Sequence, residues 1–185
     1  MWMDPFTIRN LELIYPNAPQ ATTLLQVMDH TKTPMGGRML KRWMVAPLTD
    51  LKAIQRRQDV VTDFYDQPTL KQRMQDLLQA VGDLERLMAK VATGRIGPRA
   101  INQLKNTLLL IPEIREITTK SDQNALQSLG KGLEPCEDCC QWISERLSED
   151  APTQLGKGDT IADGFSIELD EYRSMARGGK KILDK

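Results

Sequence analysis

Three cysteines within five residues are the side chains whose types and spacing most directly suggest chemistry. Cys136, Cys139 and Cys140 stand at positions i, i+3 and i+4, so a helix would carry all three thiols on one side, close enough to share a soft metal ion. A structural zinc site needs four ligands, and the sequence has no second cluster of cysteine or histidine. An odd number of cysteines in one short stretch is also a poor disulfide framework. We therefore expect reduced thiols on a partly buried helix face, and no metal.

The sequence offers few side chains that could act as the base in nucleophilic catalysis. The chain has one histidine, His30, in the sequence Asp29-His30-Thr31. A cysteine or serine nucleophile normally needs a nearby base, most often histidine, and nothing in the sequence pairs His30 with one. We expect His30 to help end a short helix, and we expect no catalytic residues in this chain.

The sequence also lacks a phosphate-binding P-loop. That motif needs two glycines five positions apart, followed by lysine and a hydroxyl residue. For Gly179-Lys180, the first glycine position is Ser174 and the hydroxyl position is Lys181. The other two glycine-lysine pairs fail at the same two positions. We predict that this chain does not bind ATP through a P-loop.

Charge is balanced over the whole chain but uneven along it. Lysine and arginine number 25, as do aspartate and glutamate, so no global field attracts nucleic acid or an anionic membrane. Residues 134–150 carry six acids against one arginine. Residues 32–57 instead carry seven basic side chains against one acid. The basic side chains either face solvent or form a candidate DNA-proximal stretch. They are Lys32, Arg38, Lys41, Arg42, Lys52, Arg56 and Arg57.

Composition favours a helical protein outside the membrane. Hydrophobic residues make up 40% of the 185 residues and aromatic residues 5%, which suits a helical protein better than an aromatic-rich β-sandwich. No apolar run reaches the ~20 residues that span a bilayer, and residues 1–5 lack the regions of a signal peptide. We expect a cytoplasmic protein with no membrane partner.

Helical signals run through most of the chain. Thr33-Pro34 predicts an N-cap followed by proline in the first turn, and Thr49-Asp50 predicts a second cap. Apolar residues from Leu70 to Val91 recur at intervals of three and four residues, with a break near Gly82-Asp83. Gly97-Pro98 begins another helix, which Pro112 kinks or ends. The predicted fold class is all-α, an irregular multi-helix bundle.

Four stretches follow from these signals. Residues 1–20 are predicted to be a short extended lead-in, 21–149 the helical body, 150–164 a loop or small hairpin, and 165–185 the start of a long C-terminal helix cut short. Gly36-Gly37 lies early in a predicted helix, where each glycine costs about 1 kcal/mol of helix propensity. We therefore expect a tight contact there, of the kind that a closely approaching helix makes.

Ordered motifs in this sequence resemble the MutS family of DNA mismatch-repair ATPases, at the start of their core, or lever, domain. Residues 2–13 resemble the opening of that domain, and residues 23–48 resemble its "TLL, D-x-T-x-T, MG-x-R-x-L-x-x-W, PL" run. Residues 83–87 match its "DLER" motif, and residues 163–173 resemble its "DG, ELDELR" motif. The resemblance implies structural or junction roles at these positions: Asp4, Thr7, Asn10, Leu11, Glu12, Gly36, Arg38, Trp43, Asp83, Leu84, Glu85, Arg86, Asp163, Gly164, Leu169, Asp170 and Arg173.

The resemblance also implies what surrounds such a chain. Family members are several times longer, so we expect an excised segment without the mismatch-reading domain, connector, clamp, returning half of the lever and ATPase domain. The implied function is that of a non-catalytic core that links the DNA-gripping clamp to the ATPase, with ATP and magnesium bound only in the full-length protein. The implied partners of the full-length protein are mismatched duplex DNA, a MutL-like protein and a second copy in a homodimer. Its implied location is the cytoplasm, at the nucleoid when bound to DNA.

Two other classes remain open. A free-standing all-α adaptor or protein-interaction domain would equally lack catalytic residues, and it predicts a naturally complete chain with a capped C-terminal helix. An enzyme with an unfamiliar site is the third class, and a single histidine without clustered ligands argues against it.

Overall fold

The computed structural model describes residues 3–122 and 124–183, with side chains as far as Gly178. Over these ranges the chain is helical, and β pairing is limited to an isolated antiparallel bridge between Leu147 and Ile161. The all-α prediction is confirmed. Residues 1–2 of the predicted lead-in and residues 184–185 of the predicted final helix lie outside the described residues. The helices are α1 Pro5–Asn10, α2 Leu24–Met28, α3 Pro34–Val45, α4 Leu51–Asp66, α5 Pro68–Ala80, α6 Leu84–Ala92, α7 Pro98–Leu108, α8 Ile111–Thr119, α9 Asn124–Lys131, α10 Glu137–Arg146 and α11 Ile167–Leu183.

The lead-in that the sequence predicted to be extended contains a helix, because α1 forms at Pro5–Asn10. The Asp4 carboxylate accepts the backbone N–H of Thr7 at 2.9 Å, and Pro5 occupies the first helical turn. A side-chain hydrogen bond from Thr7 lowers the pKa of Asp4. This cap and the preset φ of proline favour a helix start, which an interpretation based on the apolar residues alone had missed.

The predicted helix starts further along are confirmed. The Thr33 hydroxyl accepts the N–H of Gly36 at 2.9 Å, with Pro34 as the first residue of α3. The Asp50 carboxylate accepts the N–H of Lys52 at 3.0 Å at the start of α4. Prolines also lie in the first turns of α5, α7 and α8, where their missing N–H costs nothing.

The chain forms two compact units. The first comprises residues 1–86 and 110–135, and its α4 and α8 each pack against both α5 and α9. Met74, Leu77 and Val81, together with Ile114 of α8, form its buried core. The second unit comprises residues 87–109 and 136–185, in which α7 packs against α10. There the Asn102 side-chain amide donates to the backbone carbonyl of Ser148 at 2.7 Å and tethers the loop that follows α10.

The predicted apolar stripe from Leu70 to Val91 holds only through Val81. Beyond it Met88 is 50% exposed and Val91 is 40% exposed, whereas Leu87 is buried. Residues 81–83 are not helical, so the spacing of three and four residues starts again in α6 with a different face inward.

Candidate functional site

Arg38, on α3, joins the two acids of the "DLER" segment. Its guanidinium donates to the Asp83 carboxylate through two hydrogen bonds of 2.9 and 2.7 Å, and its Nε donates to Glu85 at 2.7 Å. Such a planar fork matches a carboxylate in a way that lysine does not. Three of the residues singled out from the sequence therefore meet at one point, which we call the Arg38 junction.

Asp83 has a second role at the Arg38 junction. Its Oδ1 also accepts the backbone N–H of Arg86 at 3.3 Å, as a residue capping the first turn of α6 does,. The Arg86 side chain lies 3.4 Å from Asp83 Oδ2. Hydrogen bonding from Arg38, the largest cause, holds the pKa of Asp83 at about 2, while the acids raise the pKa of Arg38. The junction is thus both an ion pair and a helix start.

The close approach predicted at Gly36-Gly37 exists, but the neighbour is a loop and not a helix. A Cβ on Gly36 would lie 3.0 Å from Thr33 Oγ1 and 3.3 Å from Thr31 Cβ. Asp29 orders this loop by accepting the N–H of Thr31 at 3.0 Å, and the Thr31 hydroxyl lowers the pKa of Asp29. The two glycines let the loop lie against the first turn of α3, the helix that carries Arg38.

Arg173, on α11, forms a second such point in the other unit. Its side chain is 12% exposed and lies 3.0 Å from Asp163, 3.2 Å from Asp159 and 3.5 Å from Asp170. It also donates to the backbone carbonyl of Ile161 at 3.0 Å. We call this cluster the Arg173 junction; it ties the loop before α11 to the helix itself.

Gly164 and Leu169 complete this part of the motif. Gly164 has a φ of +84°, a left-handed conformation that glycine adopts without steric cost. Its N–H donates to Asp170 at 2.8 Å, so the turn and α11 are also joined through the backbone. Leu169 is half-buried.

At the N-terminus the motif positions build local turns. Asp4 and Thr7 form the α1 cap described above. Glu12 has a φ of +49° and its carboxylate accepts the N–H of Asn17 at 2.8 Å. Asn10 and Leu11 are exposed.

The basic residues 32–57 do not form one free cationic surface. Arg38 is occupied by Asp83 and Glu85, and the Arg57 guanidinium lies 3.5 Å from the centre of the Trp43 ring. Lys41 lies 5.6 Å from the Tyr15 ring, and Arg42 lies 3.7 Å from Glu85. Lys32, Lys52 and Arg56 are exposed. Arg56 and Arg57 line a largely apolar groove of about 520 Å³ with Trp43, Val61 and Leu129.

The three cysteines do not share one face of a helix. Cys136 precedes α10, Cys139 lies in its first turn and is exposed, and Cys140 is buried. Burial raises the pKa of the Cys140 thiol. Among residues 3–122 and 124–183, no group of three or more histidine, cysteine or acidic side chains is placed to hold a metal ion.

Two of the glycine-lysine pairs that the sequence contains lie away from helix N-termini. Gly130-Lys131 ends α9, and Gly156-Lys157 lies in a loop that runs nine residues further before α11 begins. Neither pair precedes a helix N-terminus, where the amides of a P-loop converge on phosphate. Among the described residues, no helix has both the length and the apolar character that crossing a membrane requires.

Comparison with known proteins identifies the family. A family model described as MutS domain III matches residues 6–183. The chain belongs to the MutS family. Both junctions lie within the matched residues, so the motifs that suggested the MutS family are the ones that build them.

Individual MutS proteins match along the whole chain. A DNA mismatch repair protein MutS from Christiangramia forsetii is 48% identical over 185 residues, which is 100% of this chain and 21% of the relative. The MutS proteins of Flavobacterium psychrophilum and Flavobacterium johnsoniae are 45% and 42% identical over 184 residues, again 21% of each relative. The chain thus spans about a fifth of the length of these curated relatives.

One carboxylate of the Arg173 junction and an arginine beside it were not singled out from the sequence. Asp159 contacts both Arg173 and, at 2.7 Å, Arg177. A sequence signal for this contact was available. Two arginines four residues apart share one face of α11, and they follow a loop that contains two aspartates. Helix α9 was not predicted either, because its apolar residues, Leu126 and Leu129, make only one helical repeat.

Proposed function

We propose that this chain is a non-catalytic core segment of a MutS-family mismatch-repair protein, which links the DNA-binding clamp to the ATPase so that mismatch binding and nucleotide state bias one another. The observation that carries the proposal is the Arg38 junction. It fixes α3 to the start of α6 although Arg38 and Asp83 are 45 residues apart in sequence. Coupling between sites is a free-energy difference between discrete arrangements, and helices held by bidentate ion pairs move as bodies and not as loose segments.

The partners and cofactors of the longer protein are part of the same proposal. ATP and magnesium would bind outside this segment, because its glycine-lysine pairs do not form a P-loop. Mismatched DNA, a MutL-like protein and a second copy of the protein would be partners of the whole protein, which would work in the bacterial cytoplasm. This chain would contribute no catalytic group.

A chimera tests the proposal directly. This chain would replace the matching 48% identical segment of the Christiangramia forsetii MutS, and ATP turnover would be measured with homoduplex and with mismatched DNA. We expect the chimera to keep the difference in ATP turnover between homoduplex and mismatched DNA. Asp83→Asn should shrink that difference while turnover without DNA stays unchanged.

The matched control is Glu116→Gln, which also removes an ion-paired carboxylate. Glu116 of α8 pairs with Lys120, the residue that follows this helix, so its loss leaves the Arg38 junction intact and should leave the mismatch response unchanged. A chimera that folds and turns over ATP but ignores mismatches would reject the coupling role and favour the adaptor class. An equal response in Asp83→Asn and Glu116→Gln would reject the Arg38 junction as its basis.

A further inference from the structure

An apolar groove on the first unit is open to solvent. Residues of α3, α4 and α9 line it, and we call it the Trp43 groove. Three of its large apolar side chains are well exposed: Trp43 at 42%, Val61 at 67% and Leu129 at 60%. Single exposed apolar residues are ordinary on protein surfaces, but several that line one concave surface mark an interaction site. The Trp43 groove is therefore a candidate docking surface.

The charge of the Trp43 groove indicates what kind of segment it would accept. Its described lining residues include Arg56 and Arg57 and no acid. The Arg57 guanidinium lies 3.5 Å from the centre of the Trp43 ring, whereas Arg56 is exposed. Two guanidinium groups beside apolar walls complement a segment that presents a large apolar side chain between carboxylates.

Helix α10 of the same sequence presents such a face. Asp138, Trp142 and Glu145 follow one another at intervals of four and three residues, so they lie on one face of the helix. All three are exposed. The Arg146 guanidinium lies 4.7 Å from the centre of the Trp142 ring and 3.0 Å from Glu145, yet Trp142 remains 60% exposed. The exposed tryptophan thus has an acid about one helical turn away on each side.

We propose that α10 of one copy of this chain docks in the Trp43 groove of a second copy. Trp142 enters the groove, and the acids on either side of it face Arg56 and Arg57. Tryptophan and arginine are the residues that most often dominate the energy of protein interfaces, and complementary charges fix the orientation of the partners. The contact joins two different surfaces, so each copy contributes one groove and one helix. It does not depend on the coupling role proposed above.

Sedimentation velocity of the purified 185-residue chain tests the contact. We expect the average mass to rise with protein concentration. Added salt should reduce that rise, because it screens the attraction between the acids of α10 and the arginines of the groove. A chain that stays monomeric up to about 1 mM, where even a weak specific contact is populated, would overturn the proposal. So would binding of α10 within its own chain, which leaves the mass independent of concentration.

Substitutions on the two surfaces have controls of matched exposure. Trp142→Ala removes the side chain that enters the groove, and Leu129→Glu places a negative charge opposite the acids of α10. We expect each to weaken self-association about tenfold or more. Tyr172→Ala and Val27→Glu change side chains that are 61% and 60% exposed and lie outside both surfaces, so these variants should associate like the wild type. Equal losses in variants and controls would reject the assigned surfaces.

A mixture of the two weakened variants gives the sharpest result. The Trp142→Ala chain keeps its groove, and the Leu129→Glu chain keeps its α10. An equal mixture should therefore form a one-to-one complex although neither variant associates with itself. Far-UV circular dichroism checks that both are folded, and Val61→Glu repeats the experiment from the α4 side of the groove. Folded variants that fail to associate when mixed would reject α10 as the occupant of the Trp43 groove.

Discussion

Arg38 and Asp83 are joined by two parallel hydrogen bonds, of 2.9 and 2.7 Å, from two nitrogens of the guanidinium to the two oxygens of one carboxylate. Lysine keeps the charge of arginine but offers a single donor point. We expect Arg38→Lys to lower the midpoint of thermal unfolding, because charge alone does not hold the start of α6 against α3. Arg86→Lys, on an exposed side chain 3.4 Å from the same acid, is the control and should have little effect.

A double-mutant cycle between Arg38 and Asp83 measures the pair itself. Arg38→Lys and Asp83→Asn should each lower stability, and the double variant should lose less than the two losses added together. Denaturant unfolding of the four proteins supplies the free energies. Simple additivity would mean that the two residues act independently.

Acid should weaken the Arg38 junction. The pKa of Asp83 falls from an ordinary value of 3.8 to about 2 in the folded chain, so the unfolded state binds its proton first as pH falls. Its contribution to stability is therefore full above about pH 5 and is lost progressively towards about pH 2. The difference in the free energy of unfolding between wild type and Asp83→Asn should shrink over that range. A difference that stays constant with pH would contradict the assignment.

Local signals allowed much of this fold to be predicted from sequence. Thr33, Asp50 and the prolines of the first turns mark helix starts through chemistry that acts within four residues, and the structure has those starts. The failures are of another kind. Met88 and Val91 are exposed because a three-residue break changes which face of α6 is buried. The rotation of one helix relative to the next across such a break cannot be read from the local sequence.

The candidate site shows the same division. The motif positions Arg38, Asp83 and Glu85 could be selected from sequence, but their contact joins residues far apart in the chain. Asp159 could not be selected, since its role depends on a loop that returns to α11. The prediction that the three thiols share one helix face was wrong at Cys136, because this residue lies before the first residue of α10.

Gly130 should tolerate no side chain. It lies in α9, where a Cβ would overlap Thr118 Oγ1 and would lie 2.9 Å from Thr118 Cβ on α8. We expect Gly130→Ala to destabilise the first unit by about 1 to 3 kcal/mol, as overpacking does. Gly132→Ala is the control, because its Cβ would meet Leu129 O at 3.4 Å and Ser128 O at 3.8 Å, which are ordinary contact distances. Chemical denaturation compares the two, and equal stability would disprove close packing of α8 and α9.

The isolated chain should bind DNA weakly and without preference for a mismatch. Arg38, Lys41, Arg42 and Arg57 already contact other side chains, which leaves three of the seven basic side chains of residues 32–57. If those three each neutralised a phosphate, the logarithm of affinity would fall against the logarithm of salt concentration with a slope of about −2.7. We expect a much shallower slope in fluorescence anisotropy with matched and mismatched duplexes. A steep slope with mismatch selectivity would assign DNA recognition to this stretch.

Arg173 should matter more than its neighbour Arg177. Arg173 is 12% exposed and serves three carboxylates and a carbonyl, whereas the Arg177 side chain is 65% exposed and contacts Asp159. Removing the donor from buried hydrogen bonds to charged partners lowers the stability by about 1 to 3 kcal/mol. An exposed ion pair contributes less than about 1 kcal/mol to stability. We therefore expect Arg173→Lys to destabilise the second unit clearly and Arg177→Lys hardly at all. Hydrogen exchange of amides in α11 and in residues 159–164 reports the effect locally, and equal protection in the two variants would remove the Arg173 junction as the link between loop and helix.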